Sequence, residues 1–429
     1  MQLPRAFQDP SALRHTRRRA AAPVLVLATL AALATLTAPC ARGATDWEAS
    51  LDLRLVSSDA EPSFMEGGLG TTRFSSTDDG LQLGRARLAL DQSLGELWSA
   101  HLDASMFDDK GRSPVGLTEA YLLFRPYPFA GYRFRLKAGA FYPPISLENR
   151  ASGWESPYTL SYSAINSWLA LEVRTIGLEG TLDWLGTHSG HAFDFAVTGG
   201  VFGWNQGAGV VLANDGFALT DRQTLLFDRV GQPGAAPLEG AEPFLQFDHR
   251  EGVYAGIEVR YLDRVVLRAL RWDNRAEPEN DYGSDANYSQ DTRFNSAGVR
   301  VEGDYGWTGI VQWLDGETTT GADWPGALSS WPFRAEFALL SKRLGRHSLS
   351  ARYDRFEVDS VDADGWGAQS GHAWTAAYVF NADTHWRFTL EWLRVVSSSS
   401  SRMDLGGPPL LTETQVQLAV RYALGATSY

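Results

Sequence analysis

The sequence predicts an all-β chain: a transmembrane antiparallel β-barrel of about sixteen strands, with one loop inserted in the lumen. Three observations predict it. Residues 132–138 place Tyr132, Phe134, Leu136 and Ala138 on one face of a strand and Arg133, Arg135 and Lys137 on the other, because successive side chains point to opposite faces. One wall is oily and the other is wet and basic. Period-2 segments of this kind recur about sixteen times, and helical periodicity competes nowhere over a comparable length. Tight connections (93–96, 263–264, 303–304, 381–383) alternate with long ones (205–252, 274–292, 397–414), as in a barrel with short turns at one rim and long loops at the other.

The chain opens with a basic stretch, Arg14, Arg17, Arg18 and Arg19, followed by an apolar run at 20–38 and small residues. This reads as a secretory signal peptide over 1–43, cleaved after Gly43 with Ala41 and Gly43 at the small-residue positions. One barrel domain, 44–429, follows. An Ala-rich membrane anchor is the alternative, and a lipid-modified Cys40 is a further one that the preceding Pro39 does not suit. Beyond Cys40 the sequence has no cysteine, so disulfides do not stabilise the remainder. Residues 1–43 carry six arginines and one aspartate, so their removal takes the net charge from −13 to −18. An acidic chain excludes a nucleic-acid partner. Abundant Trp, Tyr, Phe and Gly with low mean hydropathy suit barrel strands, which are only half apolar.

The strands follow in order. Residues 47–55 set Trp47, Ala49, Leu51, Leu53 and Leu55 against Glu48, Ser50, Asp52 and Arg54. The same alternation marks 82–91, 98–106, 120–125 and 132–141, then 176–184, 193–204 and 253–261. In the second half it marks 265–272, 297–302, 307–314, 333–342, 349–356, 374–380, 386–393 and 416–424. Trp47, Trp98, Tyr132, Trp184, Trp313, Tyr378, Trp392 and Tyr422 fall near strand ends and suit interfacial girdles. The last strand ends close to the terminus, but Tyr429 lies out of phase with Tyr422. The serine run 397–401 reads as a loop.

After the fifth strand, 142–174 loses its alternation. Here the segments Gly139-Ala140-Phe141-Tyr142-Pro143-Pro144-Ile145-Ser146-Leu147-Glu148, Arg85-Ala86-Arg87-Leu88 and Asp273-Asn274-Arg275-Ala276 resemble the phosphate-selective porin O and P family. The resemblance implies a sixteen-stranded outer-membrane porin, a homotrimer in outer-membrane lipid, whose third external loop narrows the pore. It further implies a water-filled channel for passive diffusion of small hydrophilic solutes, including anions such as phosphate, with no cofactor and no catalysis. The expected basic wall is Arg85, Arg87, Arg133, Arg135 and Lys137, extended by Arg260, Arg268 and Arg300. The constriction loop contributes Tyr142, Glu148, Arg150, Glu155, Glu172 and Arg174. Tyr142 stands where the family often has lysine, and the loop is slightly acidic, so the wall serves equally well as partner to lumen carboxylates such as Glu119 and Glu179. A non-conducting structural or adhesive barrel is the alternative function, and an outer-membrane barrel enzyme is a weaker one.

Other chemistry finds little support. His188 and His191 lack a third ligand, His249 and His372 are isolated, and Asp359 to Gly365 lacks the closing glutamate of a calcium loop. The Gly-Ala-Gly within 203–209 lacks the strand-to-helix setting of a phosphate loop.

Overall fold

The computed structural model describes residues 44–108, 114–231, 240–278, 289–321, 328–361 and 365–425. The expected signal segment 1–43, Asp362, Asp364 and Tyr429 lie outside these residues. The described part forms a closed antiparallel barrel. Its strands are β1 (Thr45–Ser58), β2 (Gly80–Ser93), β3 (Trp98–Met106), β4 (Val115–Phe124), β5 (Tyr132–Phe141), β6 (Thr175–Trp184), β7 (Phe193–Gly203) and β8 (Gly252–Tyr261). They continue with β9 (Val265–Asp273), β10 (Asp291–Gly303), β11 (Trp307–Gly321), β12 (Leu328–Leu344), β13 (His347–Val358), β14 (Gln369–Asn381), β15 (Trp386–Ser399) and β16 (Leu410–Gly425). Each strand pairs with its neighbours in sequence, and β1 closes on β16 with Glu48 opposite Gly425 and Ser58 opposite Gln415. Closure leaves no unpaired edge.

Alternation fixes which residues face out. On β1, Leu53 and Leu55 are exposed while Asp52, Arg54 and Val56 are buried inside the barrel. Leu102, Leu122, Leu178, Val197, Ile257, Val311, Leu340 and Leu390 continue the exposed apolar belt around the wall. Water would not tolerate a belt of this extent, and hydrocarbon would. Aromatic side chains gather where strands meet the short turns: Trp98 packs on Phe124 with ring centroids 4.8 Å apart, Phe193 on Tyr261 at 4.9 Å and Trp386 on Tyr422 at 4.7 Å. Trp313, Trp374 and Trp392 are exposed nearer the long loops. The expected girdle residues thus sit on the outward face.

Several strands in the second half run past their expected ends. β11 continues to Gly321, β12 begins at Leu328, and β15 reaches Ser399. The reason is visible in the outward rows, where Arg293 pairs with Glu317 at 3.0 Å and Arg334 with Glu357 at 2.6 Å. Charged outward residues erase the polar–apolar alternation while the backbone ladder continues. The serine run is corrected likewise: Ser397–Ser399 belong to β15, and Ser400 opens a short helix, Ser400–Asp404. At the other rim, the β8–β9 hairpin turns on Leu262 and Asp263, both at positive φ (47° and 55°). Two such residues match the right-handed twist of a tight hairpin.

The hydrophobic core lies inside the barrel. Helix α1 (Ala164–Glu172), within the connection from β5 to β6, is buried along its entire length. Helix α2 (Val210–Asp215), within the connection from β7 to β8, is buried through Ala213. Trp168 of α1 meets Phe294 at 5.1 Å and Phe333 at 5.0 Å, both on the inner wall. Leu212, Phe217 and Leu219 from the β7–β8 connection join the same cluster. The connections after β5 and β7 therefore both enter the lumen, where one was expected, and the β1–β2 connection packs on them through Phe64, Met65 and Arg73. Apolar inner residues such as Phe202, Trp272, Phe337 and Phe356 exist to receive them.

Candidate functional site

The third long loop, 142–174, crosses the lumen and touches wall strands on all sides. Its Leu147 N–H donates to Gln312 Oε1 on β11 at 3.0 Å, and Ser146 carbonyl accepts from Arg268 on β9 at 2.7 Å. Ala164 N–H donates to Asp354 on β13 at 3.1 Å, Ser161 N–H to Glu391 on β15 at 3.0 Å, and Ser152 hydroxyl to Glu48 on β1 at 2.6 Å. Tyr142 stacks on Trp154 at 4.0 Å, bracing the loop's descending and returning arms.

Of the loop's five charged residues, four are buried in internal partnerships. Glu148 bonds Arg352 of β13 at 2.7 Å, with both side chains fully enclosed. Glu155 receives Arg85 at 3.0 Å and also pairs with Arg421. Glu172 accepts from Trp168 Nε1 at 2.8 Å and from the backbone N–H groups of Gly209, Val211 and Leu212 at 3.0, 2.9 and 3.1 Å. Arg174 lies 3.8 Å over the Tyr142 ring, donates to the Tyr142 hydroxyl and to Thr118 carbonyl, and reaches Thr224 carbonyl at 3.2 Å. Arg150 alone is exposed, pairing with Glu302 at 3.2 Å. The loop's carboxylates are thus taken up inside the protein, Glu148 and Glu155 by arginines and Glu172 by neutral donors.

The Glu172 contacts revise the reading of Gly203 to Gly209. A strand, β7, and a helix, α2, do flank that glycine-bearing segment, so the strand-to-helix setting exists. The anion at the helix start is the chain's own carboxylate, delivered from the neighbouring loop.

The expected basic wall divides in two. Arg85 and Arg87 face inward but are 2% and 4% exposed, packed between the wall and both loops. Arg87 bonds Asp103 at 2.7 Å, Glu48 at 3.1 Å and Ser152 at 2.8 Å. Arg85 reaches Ser105 at 2.9 Å, the carbonyl of Gly153 at 3.0 Å and Gln223 of the fourth loop at 3.3 Å. Gly153 has φ of 72°, and a Cβ there would sit 2.5 Å from Arg87 Nε, so only glycine admits this approach. Arg54 and Arg73 both grip Asp221 of the fourth loop, Arg73 at 3.0 Å and Arg54 at 2.6 Å. Between Asp52, Arg54, Glu155, Asp221, Arg387 and Arg421 only about 10 Å³ is left, scarcely one water's room.

Burial alone would lift the Glu155 carboxyl, but Arg421, Arg85 and Arg87 outweigh it and hold it at about 2, below the ordinary 4.5. A carboxyl depressed by folding stabilises above its unfolded pKa, and that stability is lost as pH falls from about 4.5 through about 2. The thermal midpoint in detergent is expected to fall across this window, and to fall less steeply in Glu155→Gln. Equal slopes for the two proteins would remove Glu155 from the acid response.

The other part of the wall stays open. Side chains of Arg133, Arg135 and Lys137 are 31%, 39% and 24% exposed. They face Asp183 and Glu179 of β6, Arg133 at 3.1 Å and Arg135 at 3.3 Å from Asp183, and Lys137 at 3.4 Å from Glu179. Arg260 of β8 adds a third cation to Asp183 at 3.0 Å, and Arg268 of β9 pairs with Glu258. Arg135, Lys137, Arg260 and Arg268 line a cleft of about 270 Å³ with only Glu179 and Glu258 as carboxylates, closed on the loop side by Pro144. Cations exceed anions here, and low-dielectric walls focus their field. Arg300 stands by Glu302 at 3.5 Å, next to Arg150.

Sequence reasoning missed Arg352, Asp354, Glu391 and Asp221, which tie both loops to the wall. The first three were legible as charges on inward phases of strands. Asp221 lies in 205–252, whose length predicts an external loop, although its apolar neighbours at 208–219 signal burial. Among the described residues no cluster of three metal-ligating side chains exists. His188 lies in a short turn of the rim, in the 3-10 segment Gly186–Ser189.

No family model and no curated protein sequence matches the chain. Among solved structures, the outer-membrane channel DcaP of Acinetobacter baumannii superposes with a TM-score of 0.53 at 10% identity, covering 89% of this chain and 97% of that one. The trimer form of OmpT, an outer membrane protein of Vibrio cholerae, gives 0.53 at 9% identity, covering 89% and 99%. At such identities the likeness is one of fold, a closed antiparallel barrel.

Proposed function

We propose that this protein is an outer-membrane porin, passing small hydrophilic solutes by diffusion through an off-centre, net-basic channel along β5 to β9. The observation that supports it is the 270 Å³ cleft left open beside the inserted loops, bounded by Arg135, Lys137, Arg260 and Arg268. In this reading the short turns, the start of β1 and the end of β16 face the periplasm and the long loops face outward. The outward apolar belt meets lipid, residues 1–43 serve as the export signal, and the functional unit is a homotrimer. Anions, phosphate among them, are the favoured solutes because five cations, Arg133 included, stand against three carboxylates, Asp183 included. No catalytic role or cofactor is assigned.

Planar-bilayer recording tests this. The wild type is expected to conduct and to show an anion-favouring reversal potential in a salt gradient, and replacing Arg135, Lys137, Arg260 and Arg268 with glutamine should move that potential towards cations. An unchanged potential would take these residues out of the selectivity filter. A second reading, a plugged structural barrel, draws on the packing of two loops in the lumen and the 10 Å³ left near Arg54. Absence of any conductance would favour it.

A further inference from the structure

Glu148, Glu155 and Asp221, enclosed between the inserted loops and the wall, each meet an arginine. Glu172 forms no ion pair among the described residues. It closes α1, is fully buried, and its two oxygens accept four N–H groups, all neutral: Trp168 Nε1 from its own helix and Gly209, Val211 and Leu212 from the fourth loop. The packed neighbours supply no counter-charge. On the wall, Thr292 of β10 and Thr318 of β11 stand against Gly209, and Phe294 and Phe333 stand against Trp168. From the β1–β2 connection come Phe64 and Met65, and Arg174, two residues on, turns to Tyr142 and the carbonyls of Thr118 and Thr224. The fourth loop's own charges are engaged elsewhere: Asp221 with Arg54 and Arg73, Arg222 with Asp228, and Arg229 with Glu242, while Asp215 lies at the far end of α2.

An ionised Glu172 therefore joins the two loops at the cost of a buried charge that only dipoles compensate. Burial pushes its carboxyl up to about 7, although the amides and the indole N–H pull it down, whereas the same group in water has the ordinary value of 4.5. The seated carboxyl thus holds its proton more tightly than the released one. Seating is strongest below about 4.5 and weakens as pH rises through about 7, a change of roughly a few hundredfold in the seated-to-released ratio. The gripped segment is built to move between fixed points. Gly209 and Gly216 flank α2 with φ of 105° and 75°, where glycine alone is unstrained. Beyond them Asn205 donates to the carbonyls of Glu172 and Pro243 at 2.7 and 3.1 Å, and Asp221 is held by its two arginines.

We propose that Glu172 is a proton-operated latch between the two inserted loops: protonated, it leaves residues 207–219 seated in the lumen, and ionised, it favours their lifting away between the anchors at Asn205 and Asp221. Acid closes the lumen and alkali loosens it. The latch rests on the geometry of the loops alone, and only its effect on current rests on the porin reading.

The test is hydrogen exchange of the folded barrel in detergent, read by mass spectrometry on peptides covering 207–219 and corrected for the intrinsic rate at each pH. Protection in the wild type should fall about tenfold or more between pH 5 and pH 8. Glu172→Gln, which cannot ionise, should show no such fall. Trp168→Phe removes one donor from the ionised carboxyl and should extend the fall to higher pH. Equal protection of the wild type at both pH values, or a wild-type fall in folded Glu172→Gln, would overturn the latch. Heat-modifiable migration reports folding, and should Glu172→Gln not fold, an unshifted fall in Trp168→Phe overturns it instead. In planar bilayers the wild type should open more often to a higher conductance level at pH 8 than at pH 5, and Glu172→Gln should not. A barrel whose exchange responds as expected but which carries no current keeps the latch and fails the porin reading.

Discussion

Excising the lumen-filling part of the fourth loop is expected to raise single-channel conductance several-fold, or to create conductance if the wild type has none. The geometry makes the deletion practical: Gln206 N–H donates to Leu245 carbonyl at 3.0 Å, so the ends of 207–244 already lie side by side and a short Gly-Ser turn can join them. What leaves is α2 with Phe217, Leu219, Asp221 and Gln223, all buried in the lumen. Arg54 and Arg73 lose Asp221 while Arg54 keeps Asp52 and Arg85 keeps Glu155, so the lumen sheds a carboxylate and retains its guanidiniums. Anion preference should therefore rise together with conductance. Glu172 loses its three amide donors, and a buried carboxylate without them is costly, so the deletion is best combined with Glu172→Gln. Unchanged conductance and reversal potential in a folded deletion variant would show that ions never pass beside this loop.

The barrel was legible because half of every strand must face apolar surroundings, and that demand writes a period of two into residues such as Trp47 to Leu55. Legibility failed where the demand lapses. Arg293, Arg334 and Glu357 extend strands whose outward face no longer meets hydrocarbon, so β10 to β13 looked shorter than they are. The fourth loop was misjudged for a different reason: loop length announces exposure, whereas Val210, Val211, Leu212 and Phe217 are 2% exposed or less. An apolar run inside a long connection is the signal of a segment that folds inward. For the site, alternation identified which cations face inward but not which remain open. Arg85 and Arg135 occupy equivalent inward phases, yet one is sealed by Glu155 and Gln223 and the other borders the cleft. That difference depends on contacts between residues 70 to 138 positions apart, which no local pattern records.

Arg352→Met is expected to be the most damaging single substitution in the lumen. Its guanidinium, on β13, bonds Glu148 at 2.7 Å and Asp354 at 2.8 Å and donates to the carbonyls of Ser161 and Tyr162 at 2.7 and 2.9 Å. Glu148 in turn accepts Ser163 N–H at 3.0 Å, and Asp354 accepts Ala164 N–H at 3.1 Å, so one cation ties the start of α1 to the wall. Methionine keeps the volume of the stem but leaves two carboxylates enclosed together without a counter-charge. Breaking a buried pair in this way costs roughly 3–5 kcal/mol, so the temperature at which the folded band disappears in detergent should drop markedly. The triple variant Arg352→Met, Glu148→Gln, Asp354→Asn removes the stranded charges and should recover most of that loss, because the penalty lies in the unpaired carboxylates more than in the missing bonds. If single and triple variants melt together, the network holds the loop by shape, and its charges contribute nothing that packing does not. If Arg352→Met melts like the wild type, the ties to Gln312 and Glu391 hold loop 142–174 without Arg352.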